Sequence, residues 1–439
     1  MAASDPGRPP LTILLLGATG LIGAEIARGL LVDGHRVVGV ARSVTIGVRR
    51  MPEVEWRRTD IASLTRAGDW SDLLEGADLV VNAAGALQDG PADDTRAVQV
   101  EAPAALFRAC AARKLPLIQI SAAGTDRAAA PFMRQKAEAE ALLKDMDFPW
   151  VILRPGLVLS PIAFGGSGML RALASMPFAI PACYTARPLR CVSAADIAGA
   201  VRIVTDDGVS YRRAYDLVSA QAETFADLLI ELRAWLGLPP APVLDLPPAL
   251  VRPFFALGDV AGYLGWRTPM RSATIDQLAS GIDGDPQPWH SATGRRLPGV
   301  RAILSGMPAG VQERWFARLW LLKPVALATL SLFWLLSGIL GLLRLDAAAE
   351  VLAGRGMGVG LAVAAVVAGS FADLLIGIAI AMRRTARVGL LAALAVSAAY
   401  LAGSALFAPD LWIDPLGPML KVLPSLVLLI VALATLEER

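Results

Sequence analysis

Gly17, Thr19, Gly20, Leu21, Ile22 and Gly23 lie in the stretch GATGLIG, between an apolar run at 11–16 and a helical pattern that ends near Asp33 and Gly34. A strand, a glycine turn and a helix in that order open a dinucleotide-binding unit. Glycines let the backbone approach a pyrophosphate, which then rests on the helix N-terminus. Other candidate groups fall just after later apolar runs. Arg42 follows the run at 36–40. An acid there would accept the ribose 2'-hydroxyl of NAD, whereas arginine offers a fixed fork to a 2'-phosphate. NADP(H) is therefore favoured over NAD(H). Asp60 and Ile61 are placed to contact the adenine, and Ala83, Ala84 and Gly85 are small enough for the backbone to pass the ribose and nicotinamide. Ser121 ends another run, and Lys136 lies on the helix that follows.

These residues must be positioned by alternating elements. Apolar runs at 36–40, 54–56, 78–82, 117–121 and 150–153 read as strands two to six. Helical patterns at 21–32, 69–74, 95–113 and 132–146 lie between them. Strands that alternate with amphipathic helices predict an α/β fold: a Rossmann-type doubly wound parallel sheet, with the ligand at the carboxyl ends of its strands.

With these pieces in place, the chain resembles the short-chain dehydrogenase/reductase superfamily, in its atypical or extended branch, which includes proteins of the NAD-dependent epimerase/dehydratase type. The resemblance rests on GATGLIG at 17–23, NAAG at 82–85, QISAAG at 119–124, Lys136, LRPG at 153–156 and VSAADIAGA at 192–200. It implies that the turn glycines bind the pyrophosphate and that Pro155 and Gly156 line the cofactor side. It implies that Ser121 hydrogen-bonds a substrate carbonyl or alcohol. It also implies a tyrosine four residues before the lysine as proton donor and acceptor, with Lys136 holding the nicotinamide ribose and lowering that tyrosine's pKa. The sequence departs from the pattern here, because the position is Phe132. The five tyrosines all lie at or beyond residue 184. Hydride transfer to a carbonyl needs a nearby proton, and loss of a general acid removes roughly 10²- to 10⁴-fold in rate. Tyr184 or Cys183 could reach back into the site from a proline-rich loop.

Composition sets the outer limits. The chain has 439 residues, 55% hydrophobic and 18% charged, which is too apolar for an ordinary soluble protein. A net charge of +2 without a basic tract or base-stacking module argues against a nucleic-acid partner. Cys110, Cys183 and Cys191 form no CxxC pair, and His35 and His290 stand far apart, so no disulfide framework, metal site or Ser-His site is expected. Trp289-His290 reads as a loop anchor. Residues 1–10 are polar and proline-rich and are expected to be disordered. The run after them is too short for a signal-peptide core, which places the N-terminal half in the cytoplasm. An NAD(P)-binding domain is expected over 11–305, with a smaller substrate lobe over about 155–300. Phe164 and the glycines at 165, 166 and 168 form a flexible loop within that lobe.

Residues 306–323 read as an interfacial amphipathic helix, with aromatics and leucines alternating with arginines. Apolar runs at 325–343, 357–382, 388–407 and 416–436 each suffice to cross a bilayer core of about 30 Å, giving an all-α four-helix membrane domain over 324–439. Arg383, Arg384 and Arg387 mark one loop as cytoplasmic, which places both chain ends inside a cell inner membrane. This tail resembles the DoxX-like family, and VQERWFARLWLLKP at 311–324 is similar to the entry into such tails joined to atypical reductases. Asp373 sits about 15 Å into its span and is a proton-relay or quinone-contact candidate, or a carboxyl kept neutral or hydrogen-bonded to Ser370 or a partner helix. Two functions remain open. One is an oxidoreductase acting on a lipophilic or quinone-like substrate taken from membrane lipid, through Ser121 and Lys136. The other is a nucleotide-binding structural or sensing subunit of a membrane redox complex. The NADPH-binding accessory subunit of mitochondrial complex I, from a similar atypical branch, supports the latter.

Overall fold

The computed structural model describes residues 9–85, 94–125, 130–206, 208–415 and 417–437. Most of the N-terminal stretch expected to be disordered lies outside these residues. The chain divides into two units. One runs to Asp259 and resumes over Pro269–Arg314; the other comprises Val260–Thr268 and the chain from Trp315 onward.

The first unit is built on strands β1 (Thr12–Leu16), β2 (Arg36–Ala41), β3 (Glu55–Arg58), β4 (Leu79–Asn82), β5 (Leu117–Ile120) and β6 (Trp150–Pro155). Short strands β7 (Leu157–Leu159), β8 (Ile180–Ala182), β9 (Pro188–Leu189) and β10 (Cys191–Ser193) follow. After them come β11 (Arg213–Leu217), β12 (Glu223–Thr224) and β13 (Val243–Asp245). Seven strands form one parallel sheet in the order β11-β6-β5-β4-β1-β2-β3. The strand order reverses at β1, which pairs with β2 on one side and β4 on the other, Leu16 lying opposite both Val40 and Asn82. That reversal opens the crevice in which doubly wound sheets hold their ligands.

The apolar runs are continuous because both sheet faces are covered. Ile13, Leu15, Val81, Ile118 and Val151 face one core with helices α1 (Leu21–Val32) and α6 (Ala194–Thr205). Leu14, Leu16, Val80, Leu117 and Ile152 face the other, with Leu106 and Phe107. Between these helices in the chain lie α2 (Thr45–Arg50), α3 (Ala102–Arg113), α4 (Pro131–Lys144) and α5 (Gly166–Ala174). A π-helical turn, Ala97–Glu101, leads into α3. The helix expected at 69–74 is a 3-10 turn, Ala67–Trp70, held at its start by Asp69 Oδ2, which accepts from Arg66 N at 2.9 Å. The smaller lobe adds α7 (Phe225–Trp235), α8 (Pro248–Tyr263), α9 (Ser272–Ser280), α10 (Gln287–Thr293) and α11 (Val300–Ser305).

The second unit contains α12 (Val311–Leu343), α13 (Leu345–Ala353), α14 (Val359–Ala381), α15 (Ala386–Phe407), α16 (Asp410–Ile413) and α17 (Val422–Ala434). The separate interfacial helix expected over 306–323 is corrected here. Residues 307–310 are not helical, and from Val311 the chain is one 33-residue helix that passes through Pro324 into the first apolar run. Proline removes one backbone donor, and the strong helix formers on both sides carry the helix across it. Three helices, α12, α14 and α15, are long and apolar enough to cross a membrane. The fourth run yields the 13-residue α17, about 20 Å long at 1.5 Å per residue. Gly417 and Pro418 precede this helix and Pro424 falls in its first turn, which shortens it; Leu416 lies outside the described residues. Helices α12 and α14 approach through small residues. A Cβ on Gly338 would stand 2.5 Å from the Ser370 carbonyl oxygen, and Ser331 Oγ donates to the Gly377 carbonyl at 2.8 Å.

Candidate functional site

The glycine turn connects β1 to α1 at the reversal of strand order. Gly17 has φ +74°, and a Cβ there would lie 2.8 Å from the Ala83 carbonyl oxygen and 2.9 Å from Ala84 Cα. Only glycine fits this left-handed, crowded position. A Cβ on Gly23 would stand 2.2 Å from the Gly17 carbonyl oxygen, so that glycine sets the packing of the turn on its own helix. Gly20 caps α1 with no side-chain hydrogen bond, and the first turn contains no acid. The amide groups there, including those of Leu21 and Ile22, are left for a ligand, and the helix dipole favours an anionic one. Thr19 belongs to the same turn. These features fit a dinucleotide pyrophosphate.

The flanking positions lie at the same edge. Arg42 is exposed just after β2. Asp60 is exposed and caps the turn Ile61–Ser63, with Oδ1 accepting from Ala62 N at 3.2 Å. Ile61 packs against the second core. After β4, Asn82 Oδ1 accepts from Ala84 N at 3.2 Å, while its amide donates to Gln119 Oε1 at 2.9 Å. This brings Ala83, Ala84 and Gly85 across the end of β1. Pro155 ends β6. Gly156 answers a packing demand, because a Cβ there would meet the Arg190 carbonyl oxygen at 2.3 Å.

Ser121 and Lys136 come together at the end of β5. Lys136 is buried on α4 and donates to the Ile120 carbonyl oxygen at 3.2 Å. Its ammonium is 5.9 Å from the centroid of the Phe132 ring, one turn earlier, and 3.8 Å from a Cβ built on Gly85. Burial pulls it down to about 8, against a smaller opposing pull from Glu140. Tyr184 lies in the turn between β8 and β9, with φ +56°, and makes no side-chain hydrogen bond to Ser121 or Lys136 among the described residues. Cys183 is buried, and burial and Asp245 raise its thiol above the ordinary range.

A charged network not anticipated from the sequence stands behind Ser121. Ser121 Oγ donates to Glu140 Oε1 at 2.6 Å. Arg154, in LRPG, grips both oxygens of Glu140 through Nε at 2.9 and 3.1 Å and also through Nη2. Lys144 adds a contact at 3.1 Å. Arg154 then reaches Asp216 on β11 at 3.5 Å, and Asp216 accepts from Asp285 N at 2.9 Å. Burial pushes the Glu140 carboxyl up, but hydrogen bonds from Arg154 and Ser121 and the charges of Arg154 and Lys144 outweigh it, and the net shift is downward. One signal was readable: Phe132, Lys136 and Glu140 recur every four residues and so share a helix face.

Two other candidates resolve differently. Trp289 is a buried anchor, on helix α10 rather than in a loop, and packs edge-on against Tyr215 with ring centroids 5.7 Å apart. Asp373, on α14, accepts from Ser337 Oγ of α12 at 2.6 Å, so its partner is on a neighbouring helix rather than Ser370. Its Oδ1 has no partner among the described residues. A groove of about 750 Å³, lined by Lys144, Trp150, Arg213, Tyr215 and Ser291, lies at the opposite, amino ends of β6 and β11. It contains none of the turn residues, and doubly wound sheets bind at their carboxyl ends.

A parallel sheet with this order, a left-handed glycine turn and an uncapped helix start define a dinucleotide-binding domain. Residues 17–166 match the model of an NAD(P)H-binding family, and residues 331–430 match that of the DoxX-like family. A (4-alkanoyl-5-oxo-2,5-dihydrofuran-3-yl)methyl phosphate reductase of Streptomyces griseus is 28% identical over 231 residues, which is 52% of this chain and 74% of that protein. An NAD-dependent epimerase/dehydratase of Aspergillus terreus, terH, is 34% identical over 116 residues, 24% of this chain and 33% of that protein. Among solved structures, the Bordetella bronchiseptica enzyme WbmG in complex with NAD is similar with a TM-score of 0.53. The two share 14% identity, over 69% of this chain and 94% of that one. UDP-glucuronic acid 4-epimerase from Bacillus cereus, in complex with UDP-glucuronic acid and NAD, gives 0.52 at 15% identity, over 71% of this chain and all of that one. The chain thus carries a domain of NAD(P)H-binding type, similar to reductases and epimerases, and a DoxX-like domain whose helices are long and apolar enough to cross a membrane.

Proposed function

We propose that the protein is a membrane-anchored, NADP(H)-dependent reductase of a lipophilic carbonyl or quinone-like compound, and that Lys136 supplies the proton that a tyrosine would otherwise give. The observation that carries this reading is the buried Lys136 ammonium beside Ser121. Phe132 has no proton to give. The Ser121 proton is directed to Glu140, leaving its oxygen lone pairs as acceptors. Lys136 has three N–H groups, and its one hydrogen bond among the described residues goes to the Ile120 carbonyl oxygen.

Among the described residues, the ammonium stands near Phe132 on its own helix, the Ile120 carbonyl oxygen at the end of β5 and Gly85 after β4, and it feels the charge of Glu140 one turn on. Glu140 is the charged member and is itself neutralised by Arg154. A pKa near 8 suits an amine that gives and regains a proton near neutrality. A reduced nicotinamide would supply the hydride to the substrate carbon. Lys136 Nζ gives its proton to the substrate oxygen, becomes a neutral amine and regains a proton from water. Arg42 selects the 2'-phosphate. The alkanoyl group and ring carbonyl in the name of the Streptomyces relative's substrate support a lipophilic carbonyl compound. On the positive-inside rule, the arginines at 383, 384 and 387 put that loop, and with it the nucleotide domain, on the cytoplasmic side of an inner membrane, with α17 as a fourth span.

Phe132 itself favours a second reading, in which the nucleotide is held without turnover as part of a membrane redox assembly. The test is to measure binding of NADPH and NADH to the purified full chain, then to follow NADPH absorbance with membrane quinones and carbonyl lipids. Binding with consumption supports the reductase. Tight binding without consumption, unchanged in Phe132→Tyr, supports the holding role. No binding of either nucleotide contradicts both.

A further inference from the structure

The interfacial surface sought at 306–323 has a better candidate in α8. Leu250, Phe254, Leu257, Val260 and Tyr263 recur three or four residues apart and are between 55% and 83% exposed. Such spacing puts them on one stripe of the helix. Arg252 is the charged residue among the exposed positions of this helix. The opposite face is fixed. Phe255 and Gly258 are buried, and a Cβ on Gly258 would overlap the Met270 carbonyl oxygen at 1.6 Å. Ser272 Oγ donates to Asp259 Oδ2 at 2.6 Å, and Arg271 lies 3.6 Å from Asp259 Oδ1. The stripe therefore cannot roll inward without breaking these contacts. A continuous apolar strip of this size on a surface calls for an occupant.

The chain indicates which occupant. The segment Val260–Thr268 belongs to the unit that contains the membrane-crossing helices. Arg383 N donates to the Leu264 carbonyl oxygen at 3.0 Å, and Trp266 Nε1 donates to the Ala381 carbonyl oxygen at 2.7 Å. The Arg383 guanidinium stacks on the Trp266 ring at 5.4 Å. The segment just after α8 is thus tied to the C-terminal end of α14, a helix long and apolar enough to cross a membrane. Tryptophan, tyrosine and arginine are the residues that favour a membrane–water interface. We propose that α8 lies in the lipid headgroup region, on the face that bears the 383–387 loop, with Leu250, Phe254 and Leu257 buried in the acyl boundary and Arg252 extended to the headgroups. This placement stands independently of whether the nucleotide is turned over.

The test uses the full chain in lipid nanodiscs, with a nitroxide placed in turn at Phe254→Cys and Leu257→Cys. Both positions are exposed, and the three native cysteines are buried. Leu375→Cys, 67% exposed on α14, gives the lipid reference and Arg50→Cys on α2 the aqueous one. Collision with oxygen should exceed collision with a water-soluble nickel chelate at 254 and 257, as at 375. Equal or greater access for the nickel chelate, as at 50, would overturn the proposal. Exclusion of both reagents would also overturn it, by showing a protein partner or a second copy on the stripe. Hydroxyl-radical labelling of the unmodified chain in the same nanodiscs gives a second reading: Phe254 and Tyr263 should be protected, and rapid oxidation of both would count against lipid contact.

Discussion

Replacing Arg154 by methionine isolates the buried charge behind Ser121. The Glu140 side chain is 2% exposed and Arg154 11%. In the variant, Glu140 keeps Ser121 and the contact to Lys144, whose side chain is 42% exposed. Removing one partner of a buried ion pair costs about 3–5 kcal/mol, whereas a contact to a solvent-screened lysine such as Lys144 contributes about 1 kcal/mol. The retained lysine therefore puts the expected loss near the lower limit, about 3 kcal/mol. At about 2–4 °C per kcal/mol for a domain of this order, the nucleotide unit should melt about 6–12 °C lower. The assay is thermal unfolding of the full chain followed by intrinsic fluorescence, with Glu140→Leu and the double variant completing a cycle. The double variant should recover the part of the loss that comes from stranding Glu140, while Asp216, 3.5 Å from Arg154 in the wild type, still loses its arginine. Because the folded carboxyl lies below its ordinary range, the stabilisation is present above the unfolded glutamate pKa and disappears as the pH falls through the folded value. Melting of Arg154→Met should therefore converge on that of the wild type in acid. A shift of less than about 2 °C at neutral pH, or a double variant no better than Arg154→Met, would refute the reasoning.

Three further outcomes follow from the site. Gly17→Ala forces a Cβ to within 2.9 Å of backbone at φ +74°; titration calorimetry should show nucleotide affinity falling by about 5- to 150-fold, since strain of about 1–3 kcal/mol must be relieved by moving the turn. Arg42→Ala should erase the preference for NADPH over NADH by weakening NADPH alone, and an unchanged ratio of dissociation constants would count against the 2'-phosphate assignment. Lys136 should react with an amine-directed reagent with a midpoint near pH 8, read by peptide mass spectrometry.

The fold was legible where local pattern and tertiary role coincide. The glycine turn and the six N-terminal strands are short apolar runs that local turn signals delimit, and each stands within a residue or two of its expected place. The seventh strand, Arg213–Leu217, escaped because Arg213 and Asp216 interrupt its apolar pattern at the edge of the sheet. Ser121 and Lys136 were found from their place after the fifth strand, and Phe132 was singled out by the family resemblance. Glu140, Arg154 and Asp216 did not, since their meaning arises only when α4, β6 and β11 bring them together. The membrane half misled in two ways. Hydropathy reports composition and not where a helix begins, so α12 continues through Pro324 and α17 is shortened by glycine and prolines. The stripe on α8 was hidden because Pro253 lies inside that helix, and proline reads as a break in sequence.

The central claim is that Lys136 carries the proton in a site built for a nicotinamide dinucleotide, and the pH profile of NADPH consumption tests it most directly. With the full chain in nanodiscs and a saturating lipophilic carbonyl acceptor, the rate should be sustained at neutral pH, where the ammonium is charged. It should fall as the pH rises through about 8. Lys136→Met should bind NADPH and lose that ionisation together with at least about 10²-fold in rate. A wild-type rate that does not change through that range, or a Lys136→Met variant that keeps both the rate and the profile, would contradict the account.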